Sequence, residues 1–209
     1  MKMKKLIVAL LVAALCMVAP VVAFDWGALP TDRLVLIDAS QILNDPLQSN
    51  SYFDIYIGND CYSGWCVDID NLAVINQWYT AQLTSTIGVD EKWNKVNWIL
   101  NNKGQATTPQ IQAAIWLIVA GGMPTGNVVG ANWNCPEAQN LADMADPSFE
   151  PGCGDIAAVH VNPTCVISQA IIIEVEMPPC PPVPEFPTMM IPVFLVGSLM
   201  VASSVLKKE

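Results

Sequence analysis

The order of strand and helix patterns is the feature that most constrains the fold of this chain. Four short strand patterns come first, three helical patterns follow, and two more strand patterns complete the body. We predict the strands at 33–38, 52–57, 65–69, 78–83, 156–161 and 168–176. We predict the helices at 92–102, 109–120 and 136–144. This order indicates an α+β domain, in which helices are inserted between runs of antiparallel strand.

The second helix carries clear start and stop signals. Thr108 is the predicted N-cap, Pro109 takes the first helical position, and Gly121-Gly122 ends the helix. The spacing places Gln112 at the border between the core and the surface, with Trp116 one turn further on the same side. The apolar stripe of this helix is formed by Ile111, Ala114, Ile115 and Ile118.

Both ends of the chain carry targeting patterns. Three lysines, an uncharged apolar run and small residues before Phe24 are typical of a secretory signal peptide, predicted at 1–23. Residues 189–206 carry no charge and are long enough for a transmembrane helix, which needs about 17–25 residues. The basic tail at 207–209 favours the cytoplasmic side, so we expect the body at 24–177 to be exported to the cell surface. The alternative for the apolar run is a buried C-terminal helix.

The charge balance excludes some partners. Between Phe24 and Thr188 the chain has 18 acidic and four basic residues, and such a surface repels nucleic acid. No phosphate loop, zinc spacing or nucleophile elbow is present, so we predict neither a cofactor nor enzymatic turnover. The oxygens of Asp68–Asn71 suit Ca²⁺, but the flanking pattern of a calcium loop is missing. His160 is predicted to be structural.

The cysteine count favours disulfides. An even number of cysteines in an exported chain ordinarily indicates a disulfide framework. We predict one disulfide between Cys135 and Cys153, which bracket a helix and a loop. For Cys66 the bland alternative is a disulfide to Cys61 or Cys165. Six cysteines follow the predicted signal peptide: Cys61, Cys66, Cys135, Cys153, Cys165 and Cys180.

Cys66 and Gln112 suggest a different chemistry. Cys66 lies in the third predicted strand and Gln112 in the first turns of the second helix. A thiolate held against a carboxamide can expel ammonia and form an internal thioester, provided that donors stabilise the oxyanion and water is excluded. Trp65, Trp98 and Trp116 are the candidates for a supporting aromatic shell. The alternative for Gln112 is an ordinary solvated helix residue.

Three separated motifs resemble the Cys–Gln thioester domains of prokaryotic surface proteins. The motifs are Trp65–Asp68, Trp93–Asn101 and Ile111–Trp116, and the resemblance covers about residues 50–176. The family's helix motif is Thr-Gln-x-Ala followed by an aliphatic residue and Trp, and here Ile111 stands where Thr is usual.

This resemblance implies a β-sandwich or barrel-like antiparallel body with a helical insertion that carries Gln112. Cys66 would be the thiol and Gln112 the acyl source for a covalent bond to a surface amine, in a single-use adhesive reaction.

The C-terminal part resembles the PEF-CTERM sorting signal of archaeal exported proteins. A proline-rich linker and sorting motif at 178–188 precedes the apolar span and the basic tail. The resemblance implies an archaeosortase-like processing enzyme as a partner, and a lipid anchor that replaces the transmembrane helix. The motif consists of Pro184, Glu185, Phe186, Pro187 and Thr188.

Two functions from different classes fit these patterns. The first is an exported, membrane- or lipid-anchored envelope protein that acts as a covalent adhesin. The alternative is a disulfide-stapled structural or ligand-binding module of the cell envelope without covalent chemistry.

Overall fold

Six antiparallel strands close into a barrel in the computed structural model, which describes residues 29, 32–45, 49–123 and 136–180. Around the barrel the order is β1-β2-β3-β6-β5-β4, and β4 pairs with β1 to close it. The predicted antiparallel, barrel-like body is therefore confirmed. The strands are β1 Arg33–Asp38, β2 Phe53–Ile57, β3 Asp60–Cys66, β4 Trp78–Ser85, β5 Ile156–Pro163 and β6 Ile171–Glu176.

Four helices lie between the strands of the described chain. Two of them, α2 and α3, agree with the predicted helices to within a residue or two at each end, and α4 matches its prediction. The short α1 was not predicted, because five residues are too few for a periodic pattern to show. The helices are α1 Ser40–Asn44, α2 Glu91–Asn101, α3 Thr108–Val119 and α4 Pro136–Met144.

The strand register determines which side chains face the barrel interior. On β1, Val35 is fully buried while Leu34 is exposed, so the odd-numbered face of β1 points inward. Residues directly opposite each other in a sheet share a face. Following the pairs from β1 through β2 therefore places Gly64 and Cys66 of β3 inside the barrel, and Trp65 between them outside.

The start and end of β3 correct the predicted third strand. The prediction began at Trp65, whereas β3 begins at Asp60 after a two-residue turn in which Gly58 has a positive φ of 64°. Its last residue is Cys66. Beyond it the Asp68 carboxylate accepts hydrogen bonds from the backbone N–H groups of Asp70 and Asn71, which turns the chain out of the sheet.

Carboxamide side chains fasten α2 to β5. The Asn101 side chain donates to the carbonyl of Ile156 at 2.7 Å and accepts from the N–H of the same residue at 2.8 Å. Fully buried Asn97 accepts from the N–H of Ala158 at 2.8 Å. β4 ends at Ser85, so these side chains satisfy β5 backbone groups that no longer have a strand beside them.

Several predicted features lie outside the described residues. These are the signal peptide at 1–23, the sorting motif at 184–188, the transmembrane helix at 189–206 and Cys135 of the proposed Cys135–Cys153 disulfide. Within the described part of the chain, no helix has the length and apolar character needed to cross a bilayer.

Gly64 is expected to tolerate no side chain. A Cβ atom built there would lie 2.4 Å from Cγ1 and 2.9 Å from Cδ1 of Ile55. We expect Gly64→Ala to lower the free energy of unfolding by about 1–3 kcal/mol through overpacking. In an Ile55→Ala background the same change should cost much less, because the clashing atoms are gone. Urea unfolding of the double-mutant cycle measures this, and equal costs in both backgrounds would refute the packing explanation.

His160 should make stability fall in mildly acidic solution. It is half-buried, and burial lowers its pKa below the usual 6.5. The unfolded chain therefore takes up a proton first as the pH falls through 6.5, which favours unfolding until the lower folded pKa is reached. The loss is at most about 1.4 kcal/mol per pH unit. Urea titrations between about pH 7.5 and about pH 5 should show this fall, and His160→Gln should remove it, since this is the only histidine of the chain.

Candidate functional site

The carboxamide of Gln112 pairs with the backbone of Cys66 at two points. The Cys66 N–H donates to Oε1 of Gln112 at 2.8 Å, and Nε2 of Gln112 donates to the Cys66 carbonyl at 2.8 Å. The two residues that the sequence singled out, 46 positions apart, are thus in direct contact.

This pairing continues the barrel where β2 begins. The carbonyl of Gly64 accepts from the N–H of Tyr52, so alternate residues of β3 present their backbone groups toward β2. Cys66 lies two residues further, past the start of β2 at Phe53. Gln112 of α3 therefore occupies the place of a further β2 peptide group.

Gln112 is completely buried, which corrects its predicted position at the border of the core. Its relative exposure is 0 %, and α3 positions it from a start at Thr108, with Thr107 rather than Thr108 as the N-cap. The orientation of its amide is determined by the partner: a backbone N–H requires an oxygen opposite, and a carbonyl requires an N–H. Both polar ends of the carboxamide are satisfied, so a fully buried glutamine is tolerated.

The sulfur of Cys66 is turned toward another glutamine. Its Sγ donates to Oε1 of Gln169 at 2.9 Å, and Nε2 of Gln169 donates to the carbonyl of Asp68. Sequence reasoning missed Gln169, because it lies 103 residues further on, in a segment predicted as strand. Burial raises the pKa of the Cys66 thiol well above its usual value, and the charge of Asp68 raises it further. The thiol is therefore protonated at neutral pH.

Cys66 forms no disulfide. Cys61 lies five residues earlier in the same strand, which separates the two Cα atoms by about 16 Å, far beyond the reach of a disulfide. Cys61, Cys153 and Cys165 carry exposed free thiols. The disulfide alternative for Cys66 is therefore wrong.

A cavity of about 260 Å³ opens beside the thiol. Cys66 and Gln169 line it together with the aromatic rings of Tyr52, Phe53 and Trp116. The rings of Tyr52 and Trp116 meet edge to face, with centroids 5.9 Å apart. The cavity is smaller than a typical small-molecule pocket of about 300–1,000 Å³, so it suits a single side chain or a small amine.

Of the three tryptophans predicted as a supporting shell, the structure brings Trp116 to the cavity. Trp65 is buried on the opposite face of β3, where Nε1 donates to Glu174 at 2.6 Å and the Lys103 ammonium lies 5.5 Å from the ring centre. Trp98 is half-buried on α2 and packs against the core without lining the cavity.

The Asp68–Asn71 segment does not gather metal ligands. The Asp68 carboxylate is occupied by hydrogen bonds from Asp70 and from the backbone and side chain of Asn71. Within the residues that the structure describes, no group of three or more His, Cys, Asp or Glu side chains could hold a metal ion.

No family model and no curated protein matches this chain. Among solved structures, it is similar to the N-terminal thioester domain of a surface protein from Clostridium perfringens, at 11% sequence identity and a TM-score of 0.45. The similarity covers 69% of this chain and 100% of that one.

Proposed function

We propose that Cys66 and Gln112 form an internal thioester, and that the protein is an exported envelope adhesin that uses this bond to attach covalently to an amine on a target surface. The observation that carries the proposal is the two-point pairing of the Gln112 carboxamide with the backbone of Cys66 in a buried site.

The pairing supplies the oxyanion donor that thioester formation needs. As sulfur bonds to Cδ of Gln112, negative charge develops on Oε1, which already accepts the Cys66 N–H at 2.8 Å. The C–N bond then breaks, and Nε2 leaves as ammonia with the thiol proton. No oxidant or cofactor enters this balance.

The surroundings support both storage and use of the bond. Gln112 and Cys66 are at most 2 % exposed, so water has little access to a thioester between them. The cavity beside Cys66 gives a small amine or one lysine side chain a route to the sulfur. Attack by the amine nitrogen on Cδ forms an amide at Gln112 and returns a proton to the sulfur. Each molecule reacts once, so this is attachment rather than turnover.

The sequence patterns at the two ends support a location at the cell surface. The signal peptide pattern at 1–23 directs export. The PEF-CTERM-like motif and the apolar span at 189–206 support anchoring in the membrane, or through a lipid after processing by an archaeosortase-like enzyme. The exported body is strongly acidic, which favours targets with basic residues such as lysine.

The alternative is a structural or ligand-binding envelope module without covalent chemistry. A specific observation favours it: the Asn101 carboxamide pairs with both backbone groups of Ile156 in the same way. Isoleucine has no thiol, so this second pairing cannot lead to a thioester. A carboxamide that pairs with both backbone groups of a strand residue can therefore have a purely structural role, which is to fasten a helix to the barrel.

Methylamine labelling distinguishes these functions. A thioester is opened by methylamine, which converts Gln112 to its N-methyl amide and frees the Cys66 thiol. We expect peptide mapping of the treated protein to place one methylamine at Gln112 and none at Asn101, its internal control. If the native protein takes up no methylamine, the thioester proposal is refuted and the structural alternative is favoured.

A further inference from the structure

We propose that exposed apolar side chains around the opening of the Cys66 cavity form a docking surface for a protein segment whose reactive lysine is flanked by apolar residues. This inference rests on the thioester proposed above and names the chemistry of its target. We call these side chains the apolar rim, and they are Leu43, Leu72 and Ile75.

The apolar rim is a cluster of exposed side chains at a concave site. Leu72 is 90 % exposed, Leu43 is 51 % exposed and Ile75 is 39 % exposed, and all three line the cavity that Cys66 also lines. Eight large apolar side chains are exposed in the part of the chain that the structure describes, and three of them share this opening. Single exposed apolar residues are ordinary on a protein surface, whereas a cluster around a cavity marks a binding surface.

Backbone hydrogen bonds hold the rim side chains outward. The carbonyl of Leu72 accepts the N–H of Gln169 at 3.1 Å. The N–H of Leu43 donates to the carbonyl of Ala39 at 3.1 Å at the start of α1, and the neighbouring Ile42 is buried. The exposure of the rim therefore belongs to a hydrogen-bonded backbone, and a preformed surface loses little conformational entropy when a partner binds.

The electrostatics of the cavity favour a cationic group. Partial burial of the Asp68 carboxylate is outweighed by hydrogen bonds from Asn71 and Asp70, which lower its pKa and keep it ionised at neutral pH. Its charge adds to the effect of burial in raising the pKa of the Cys66 thiol, so its field reaches the sulfur. The four basic side chains of the exported body all lie outside the cavity lining. An arriving lysine ammonium is therefore attracted to this opening.

The shape of the site selects among amines. The cavity takes one side chain, and the apolar rim surrounds its opening, where the residues next to a bound lysine lie. Aliphatic or aromatic neighbours of that lysine cover the rim and remove its apolar surface from water, which stabilises the complex. A polyamine or an amino sugar has no apolar groups to place there. We therefore expect leucine, valine or phenylalanine beside the lysine of the target.

The test uses the Cys66→Ala variant, which cannot form the thioester, so that binding to it is purely non-covalent. The probes are two sets of fluorescent heptapeptides with one central lysine. Its neighbours are leucine, valine or phenylalanine in the apolar set and serine in the matched set. Leu43→Gln with Leu72→Gln removes two side chains of the rim. Leu34→Gln is the matched control, because Leu34 is 60 % exposed on β1 and does not line the cavity.

We expect Cys66→Ala to bind the apolar set about 10-fold more tightly than the serine set, as measured by fluorescence anisotropy. Adding Leu43→Gln and Leu72→Gln should remove this difference, and adding Leu34→Gln should leave it unchanged. Equal affinity for the two sets, or an equal loss in Leu34→Gln, would overturn the proposal. If the double rim variant fails to fold, Leu72→Gln alone decides, because the Leu72 side chain is 90 % exposed.

Methylamine uptake separates the role of the rim from the thioester itself. With Cys66 intact, the rim variants should take up methylamine at the wild-type rate, because this amine is too small to contact the rim. If the wild type takes up no methylamine, the proposed function fails, while the peptide affinities of Cys66→Ala still decide the role of the rim.

Two other occupants of the rim are outcomes of the same test. Cys66→Ala is mixed with phosphatidylcholine vesicles, and its self-association is followed by sedimentation. Vesicle binding or self-association that Leu72→Gln abolishes, without a preference between the two peptide sets, would assign the rim to a lipid surface or to a second copy of the chain and overturn the proposal.

Discussion

Replacing Gln112 by alanine is expected to lower the free energy of unfolding by about 3 to 5 kcal/mol, a large part of the total stability of a typical domain. The substitution leaves the N–H and the carbonyl of Cys66 buried without partners, and it opens a cavity where a fully buried side chain was packed. Urea unfolding followed by circular dichroism measures the change. The same variant cannot form a thioester.

Two further variants control this prediction. Asn101→Ala removes the matching pair of hydrogen bonds at Ile156, but that site is only partly buried, so water replaces the lost partners and the cost should be about 1–2 kcal/mol. Gln112→Glu should be more stable in acid than at neutral pH, because only a protonated carboxyl can donate to the Cys66 carbonyl as the amide does. A Gln112→Ala cost equal to that of Asn101→Ala would contradict the burial on which the site depends.

Replacing Cys66 by alanine is expected to abolish the uptake of methylamine completely while leaving the fold intact. The sulfur is the only atom of the pair that can store the acyl group, whereas the backbone groups that hold Gln112 are unchanged by the substitution. The stability cost should be about 1–2 kcal/mol, from the lost packing of Sγ and its hydrogen bond to Gln169. Intact mass with and without methylamine gives the result.

The exposed cysteines provide the matched controls. Cys61→Ala and Cys165→Ala remove thiols that lie at the surface, and both variants should take up methylamine as the wild type does. Uptake that persists in Cys66→Ala, or that disappears in Cys61→Ala, would show that the reactive bond lies elsewhere.

Local patterns in the sequence predicted the elements better than the contacts between them. β1, α2, α3 and α4 carry periodic apolar residues or capping signals, and the structure places each within a residue or two of its prediction. The third strand was misplaced because its boundaries depend on the turn at Gly58 and on the hydrogen bonds of the Asp68 carboxylate, which are local turn and side-chain effects that apolar periodicity does not show.

The site shows the same division. Cys66 and Gln112 were identified from their residue types. The burial of Gln112 was not predicted, because glutamine is usually exposed and is buried only where its hydrogen-bond partners are available. Those partners are backbone groups, which leave no mark in the sequence. The contact between Gln169 and the sulfur could not be predicted for a further reason. It joins the end of β3 to a residue just before β6, and the two residues are 103 positions apart in the sequence.

The measurement that tests the central claim most directly is a search for the joined peptides themselves. The purified, exported protein is digested with pepsin in acid, where a thioester survives and free amines are protonated. We expect one cross-linked species that contains Cys66 and Gln112 and is lighter than the sum of its two peptides by one ammonia. Recovery of both peptides unlinked, with an intact Gln112 carboxamide and a free Cys66 thiol, would contradict it.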